Sequence, residues 1–397
     1  MLAVLLCAFR YGRIWPLLLW NDTVTRTPHS QVILGYSETS EPIRAEAYFS
    51  HPPSFLHPLL DWLFIGAKAT FEKKMASLFA LAVPGSEIHA ALYQFDSGVV
   101  AREMERAKAS GVAVRLILDN SADGWLTRKT YKRLRKQLGD RDVHVCSRGA
   151  CIGDGNNHNK IYMFSEIRDP GNPGKTIRNV VVQTSENLLF WQRYFFNDMV
   201  VISGDRAIYN AYLNYWHDLY EETPNSSYYE GPNGTAASEA SLTRVWFFPS
   251  ASHDPIVEQL KSVSCEGGGK VFAVQSLYKG EAARALTDEL VRLKHLGCSV
   301  GAILHKNQTD NQNLQGLLAC GIKVWYLETI HSKVVMIDAV QDIEGRRSRA
   351  AVVFTGSLNR KENALRRNDE SLLRIVNPDV FQSYWTYFQN LQGRAFR

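Results

Sequence analysis

Residues 86–96, SEIHAALYQFD, carry apolar side chains in the alternation of a strand. GVVAREMERAKAS follows at helical spacing, Gly111 stops it, and VAVRLILD continues as a buried strand. The same series starts again at 270–278, KVFAVQSLY. A helix over EAARALTDELVRLKHL, a stop at Gly297 and the strand CSVGAILH come next. Each half predicts a second helix (126–138 and 310–319) and a further strand (143–146 and 322–327). Strands alternating with helices imply β-α-β units with helices on both faces of a sheet. Given twice, the pattern predicts an α/β protein of two similar α-β-α sandwich lobes related by a pseudo-twofold.

The polar positions repeat as well. The first half reaches HNKIYMFS, with His158 and Lys160, and the second HSKVVMID, with His331 and Lys333. Each half then has a strand ending in a Ser-x-Asn turn, with Ser185 and Asn187 in VVVQTSEN and Ser357 and Asn359 in AVVFTGSLN. An acid opens the next strand, Asp198 or Glu370, and an aromatic-rich helix closes the half. His158 to Asn187 spans 29 residues and His331 to Asn359 spans 28; both Asn-to-acid intervals are 11. A lone His-x-Lys occurs often by chance. Two, each followed at matched distance by the same groups, do not.

In His-x-Lys on a strand the two side chains share a face. Two facing lobes would therefore gather two His, two Lys and two Asn around one cleft, with Ser185, Ser357 and turn N–H groups as further donors to a phosphate. Such a pocket suits phosphoryl transfer, where charge grows on the equatorial oxygens. One neutral imidazole attacks phosphorus, and the other, as imidazolium, protonates the leaving oxygen. Asp198 and Glu370 are the acids expected behind the rings, by spacing. The lysines supply positive charge, so no metal or other cofactor is called for. A zinc helix H-E-x-x-H, a Walker loop and a G-x-S-x-G elbow are all absent.

These residues resemble the phospholipase D superfamily, the "HKD" phosphodiesterases, whose pattern H-x-K-x4-D then G-[ST]-x-N occurs twice per active site. The second half matches fully, with His331, Lys333, Asp338, Gly356, Ser357 and Asn359. In the first half Ser165 and Thr184 stand where the pattern has Asp and Gly. The resemblance covers residues 70–393. It implies a monomer with one active site at the lobe interface, a phosphohistidine intermediate, metal-independent catalysis and Asp338 as structural support. By family habit His158 is the nucleophile and His331 the general acid and base; the swapped assignment stays open. Phospholipid head groups, hydrolysed or transferred, are the leading substrate. The alternatives are a nuclease acting on DNA or RNA and a catalytically impaired homologue that binds lipid or phosphate.

Domain expectations follow. Residues 1–70 read as an N-terminal extension, 71–220 as the first lobe, 221–245 as a Ser/Gly/Pro/Asn-rich linker or surface loop, and 246–397 as the second lobe. The apolar runs within 1–20 read as a signal or anchor, or else as a mis-assigned start or a buried segment; the location stays open, with secretion or membrane association favoured. The aromatic, Pro-rich 51–64 reads as packing over the first lobe or as a lipid-contacting rim.

Composition narrows the class without choosing the substrate. Hydrophobic residues at 45% and charged residues at 21% exclude global disorder, collagen and a coiled coil. A net charge of +5 accommodates an anionic substrate but lacks the dense basic tract of a non-specific nucleic-acid binder. The one basic run, RKTYKRLRK from Arg128 to Lys136, reads as a solvated helix face, or as a surface attracting phospholipid or nucleic-acid backbone. Cys146 and Cys151 are close enough to bridge, but with Cys298 and Cys320 they read as small buried residues.

Overall fold

The computed structural model describes residues 31–50, 70–125 and 127–396. The runs at 1–20 and 51–64 lie outside them. The first lobe runs β1 (Val32–Tyr36), β2 (Pro42–Phe49), α1 (Thr70–Leu81), β3 (Glu87–Leu92), α2 (Gly98–Ala109), β4 (Ala113–Leu118), α3 (Arg128–Leu138), β5 (Val143–Val145), β6 (Lys160–Asp169), β7 (Asn172–Thr184), β8 (Asp198–Ser203) and α4 (Arg206–Glu221). The second runs β9 (Thr235–Ser238), β10 (Thr243–Phe248), α5 (Pro255–Lys261), β11 (Lys270–Gln275), α6 (Gly280–His295), β12 (Ser299–Leu304), α7 (Asn311–Ala319), β13 (Lys323–Tyr326), β14 (Lys333–Ile343), β15 (Arg346–Gly356), α8 (Glu362–Arg366), β16 (Glu370–Val376) and α9 (Pro378–Arg394). Side-chain oxygens of Ser97, Asp205, Asp254, Asp310 and Asn377 cap the first turns of α2, α4, α5, α7 and α9, which fixes where those helices start.

Each lobe has an eight-stranded mixed sheet. The orders, β5-β4-β3-β6-β7-β8-β2-β1 and β13-β12-β11-β14-β15-β16-β10-β9, correspond strand for strand. The alternation of each strand divides its side chains between two cores. On the outer face Ala90, Val114 and Phe164 pack under α1, α2 and α3 with Met75, Met104 and Leu134. The second lobe repeats this with Ala273, Val335 and Ile337 under Leu260, Leu286 and Leu317 of α5, α6 and α7. The inner faces of both sheets share one core with α4 and α9, which brings Ile161, Met163, Tyr212 and Tyr215 together with Val274, Met336, Tyr384 and Phe388. The two α-β-α lobes are therefore joined through a common inner layer of helices.

That layer corrects the expected boundaries. Within the expected extension (1–70) and across the end of the expected linker (221–245), β1–β2 and β9–β10 form equivalent edge hairpins of the two sheets. Both are held by the opposite lobe. Phe49 of β2 stacks on Tyr387 of α9 at 4.3 Å, and Tyr215 of α4 stacks on Phe247 of β10 at 4.1 Å. The hairpins are short and half-polar, and their apolar partners lie across the molecule, so local composition reads as loop. The cysteine expectation is also corrected: Cys146 bridges Cys151, Cys298 bridges Cys265, and Cys320 stays free and half-buried. Among the described residues no helix is long and apolar enough to cross a membrane.

Candidate active site

His158 and His331 each stand two residues before the lysine that opens β6 or β14. Lys160 Nζ donates to the His158 carbonyl at 2.5 Å, and Lys333 Nζ donates likewise to that of His331. Both lysines are buried. The residue between histidine and lysine points the other way, into the inner core. There Asn159 Nδ2 donates to Tyr215 OH of α4 at 3.0 Å, and Ser332 Oγ meets Tyr387 OH of α9 at 2.9 Å. Sequence reasoning passed over Asn159 and Ser332. The available signal was a polar residue facing an apolar layer at a strand start.

What orients each ring comes from the opposite lobe. His158 Nδ1 lies 2.8 Å from Glu370 Oε2 at the start of β16, and His331 Nδ1 lies 2.9 Å from Asn197 Oδ1 just before β8. The Asn197 amide is fixed by its Nδ2, which donates to the Phe195 and Gln192 carbonyls at 3.3 and 3.4 Å. Its Oδ1 therefore faces the ring and accepts from Nδ1–H. A proton on Nδ1 of each ring satisfies both contacts and leaves Nε2 for chemistry.

Asp198 does not do what the spacing predicted. Its carboxylate accepts from Thr355 Oγ1 and, at 3.0 Å, from Tyr384 OH, and among the described residues it makes no hydrogen bond to a histidine nitrogen. Backbone bonds explain the slip. Ser185 N donates to Asp198 O and Ser357 N to Ser371 O, so Asp198 corresponds to Ser371 and Asn197 to Glu370. The second turn is one residue longer, and equal counts from the two asparagines select unequal positions.

The serines also differ from expectation. Ser185 Oγ donates to Asn197 Oδ1 at 3.1 Å and accepts from Asp198 N at 3.0 Å; Ser357 Oγ accepts from Ser371 N at 3.1 Å. These hydroxyls brace strand ends, so their predicted donation to phosphate is already committed elsewhere. Asn187 and Asn359, by contrast, have buried Oδ1 atoms with no hydrogen-bond partner among the described residues. Gln192, unanticipated because the aromatic segment around it reads as packing, accepts from Asn187 N at 2.8 Å and places its Nε2 3.5 Å from His331 Nε2.

The motif positions beyond the histidines and lysines make contacts within the fold. Asp338 lies five residues along β14 from Lys333, roughly 17 Å at strand rise, and pairs with Arg349 at 3.0 Å. Ser165, its counterpart, accepts from Glu87 N at 2.9 Å. Gly356 has φ 156°, and a Cβ there would meet Ser371 O at 2.3 Å and Gln183 Nε2, from the other lobe, at 2.7 Å. Thr184, in the matching place, instead donates to Asp198 O at 3.0 Å.

A further acid was missed. Asp369 of the second lobe enters the loop closed by Cys146–Cys151 and accepts from Cys151 N at 2.6 Å and Gly153 N at 2.7 Å, with Ile152 N close by. Its own carbonyl accepts from His158 N at 2.9 Å, so the clamp also holds the histidine. Burial pushes its carboxyl up to about 7 against the pull of the three N–H donors. Asp369 with Cys146 and Cys151 is the one candidate metal cluster among the described residues. Its sulfurs are bonded to each other, which leaves no thiolate to ligate an ion.

The cleft is over-supplied with cationic groups. Burial lowers the His158 pKa against the opposing pull of Glu370, with Lys160 and Lys333 lowering it further. Burial, then Lys333, Lys160 and His158, hold His331 well below its ordinary value. Burial pulls Lys160 well down and Lys333 to about 8. Burial is the largest cause at all four groups, and an anion placed among them would favour their charged forms.

A family model described as cardiolipin synthase, PLD-like domain, matches residues 79–219 and 269–392. No curated protein matches the sequence. The fold is similar to phosphatidylserine synthase of Haemophilus influenzae Rd KW20, at 14% identity and TM-score 0.56, covering 82% of this chain and 84% of that one. Polyphosphate kinase of Porphyromonas gingivalis matches at 13% identity and TM-score 0.49 over 86% of this chain, which spans only 49% of the kinase. Nuc, a phospholipase D family member of Salmonella typhimurium, matches at 19% identity and TM-score 0.31, covering 39% of this chain and 95% of its own. With two-thirds of its length matched by the family model in two segments, one per lobe, the chain belongs to the phospholipase D superfamily, whose members are phosphodiesterases or phosphotransferases.

Proposed function

We propose that the protein is a monomeric, metal-independent phosphodiesterase of phospholipase D type, which cleaves or transfers phospholipid head groups through a phosphohistidine. The observation that carries this reading is the crossed support of the two rings. Glu370 behind His158 and Asn197 behind His331 occupy both Nδ1 atoms, and His158, His331, Lys160 and Lys333 feel one another's charge across the lobe boundary. A carboxylate behind an imidazole favours its becoming positive, as a nucleophile must. His158 Nε2 therefore attacks phosphorus, and the P–O bond to the leaving alkoxide breaks as His331 Nε2–H delivers its proton. Water or an alcohol then gives its proton to His331 and attacks phosphorus, breaking the P–N bond. The lysines and asparagine amides hold the non-bridging oxygens.

Turnover on phosphatidylcholine, phosphatidylserine, DNA and RNA, in parallel and with EDTA present, tests this. Lipid turnover that survives EDTA is expected, with His158→Ala and His331→Ala each losing at least about 10³-fold. In His331→Asn a phosphoryl adduct should accumulate on His158 by mass spectrometry. Nucleic-acid turnover alone would replace the lipid reading, and no product with no adduct would leave a binding protein. The pH profile follows from the same groups. His158 must be neutral, and its lowered pKa keeps kcat/KM high below the ordinary histidine range. His331 must carry its second proton, and its pKa is held well below the ordinary value, so kcat/KM begins to fall as pH rises from below the ordinary histidine range, and falls again as Lys333 loses its charge through about 8. Lys333→Arg should move that alkaline limb upward.

A further inference from the structure

The basic run at 128–136 has no part in the chemistry above. It forms α3, which carries six basic side chains and no acidic one. Thr130, Leu134 and Leu138 are buried. Arg128, Arg133 and Arg135 are paired with Asp123, Glu105 and Asp140. Lys129, Lys132 and Lys136 remain exposed and have no carboxylate partner among the described residues. At 100° per residue they fall within an arc of about 60° opposite the buried side, as one stripe about 10 Å long.

At the head of that stripe stands Trp125, 87% exposed. Its loop is braced rather than slack. Thr127 Oγ1 donates to the Ser121 and Ala122 carbonyls at 3.0 and 2.7 Å, and Gly124 N donates to Ser121 O at 2.8 Å. The loop belongs to the rim of the cleft. Asp119, which caps its first turn, accepts from Asn157 N at 2.9 Å, next to His158. Asp96 ties it to the turn beside His331, accepting from Thr130 Oγ1 at 3.1 Å and, through its carboxylate, from Phe190 N at 3.1 Å. Phe190 is itself 49% exposed.

An exposed tryptophan with a row of unpaired lysines behind it has the composition of a bilayer interface contact: an amphipathic ring for the head-group level and cations for anionic lipids. A nucleic-acid backbone fits less well, because Asp123, Glu105 and Asp140 neutralise the arginines that would fork its phosphates. We propose that Trp125 and the Lys129–Lys132–Lys136 stripe dock the rim of the cleft onto a membrane surface bearing anionic head groups. The proposal rests on the phospholipid reading of the site, since a lipid head group must reach the histidines from a bilayer.

Co-sedimentation of the full chain with vesicles of phosphatidylcholine, alone or mixed with phosphatidylglycerol, tests it. Replacing Lys129, Lys132 and Lys136 together by serine should weaken binding to the anionic vesicles by about a hundredfold, roughly fivefold per lysine. That difference should vanish at high salt. Trp125→Ala should weaken binding to both vesicle types several-fold. Neither variant should change turnover of a short-chain phospholipid below its micelle concentration. Wild-type binding to anionic vesicles that the triple variant retains would overturn the proposal. So would tighter binding of duplex DNA than of vesicles through the same lysines. If no phospholipid is turned over while lysine-dependent vesicle binding persists, the docking surface stands and the catalytic reading falls.

Discussion

His158 and His331 have near-identical backbone settings, and the segments that reach them from the opposite lobes correspond residue for residue. The second lobe offers Asp369–Glu370 to the loop of His158; the first offers Phe196–Asn197 to that of His331. Phe196 bridges Ile330 as Asp369 bridges Asn157. In one half-site a carboxylate backs the ring and a second, fully buried carboxylate closes a disulfide loop. In the other a neutral amide backs the ring and a phenyl group packs into the core. A duplicated scaffold has thus kept its geometry and divided its electrostatics. Two rings with the same support would have the same basicity, whereas a nucleophile and a proton donor need different ones.

Exchanging the supports breaks the comparison most sharply. Glu370→Gln should lower kcat by about 10²-fold by removing the charge that stabilises a cationic His158. Asn197→Asp, which gives both rings a carboxylate, should cost less than about tenfold. Steady-state kinetics showing the reverse order would move the nucleophile to His331.

A smaller effect concerns the flanking pair. Asp369→Ala strands three buried N–H groups and should cost about 3 kcal/mol in urea unfolding. Phe196→Leu should cost only about 1 kcal/mol. Equal costs would mean that the carboxylate clamp adds nothing to apolar packing.

The smallest effect is expected at the degenerate motif position. Ser165→Asp restores the family residue where a hydroxyl now accepts from Glu87 N, and should shift stability by no more than about 0.5 kcal/mol with turnover within about twofold. Lost turnover in that variant would give the first lobe a geometry of its own.

Much of the site was legible because the repeat is local. His158 with Lys160, His331 with Lys333, and the asparagines after each serine come from strand and turn positions within about 30 residues of one another. The pairs that were not legible cross the molecule. Glu370 lies 212 residues from His158, and Asn197 134 from His331. Counting along the chain therefore put Asp198 in a role held by Asn197, because one turn has an extra residue. Asn159, Ser332 and the hairpins β1–β2 and β9–β10 escaped for a related reason: their partners, the tyrosines of α4 and α9, belong to a layer that exists only once the lobes meet.

The amino-acid order alone determined that two α/β halves each carry a histidine, a lysine and an asparagine at matched spacing, since period and turn chemistry are properties of short segments. Only the tertiary structure decided which group stands behind which ring. Hydrogen bonds made across an interface depend on register to a single residue, and that register is set by the packing of the lobes.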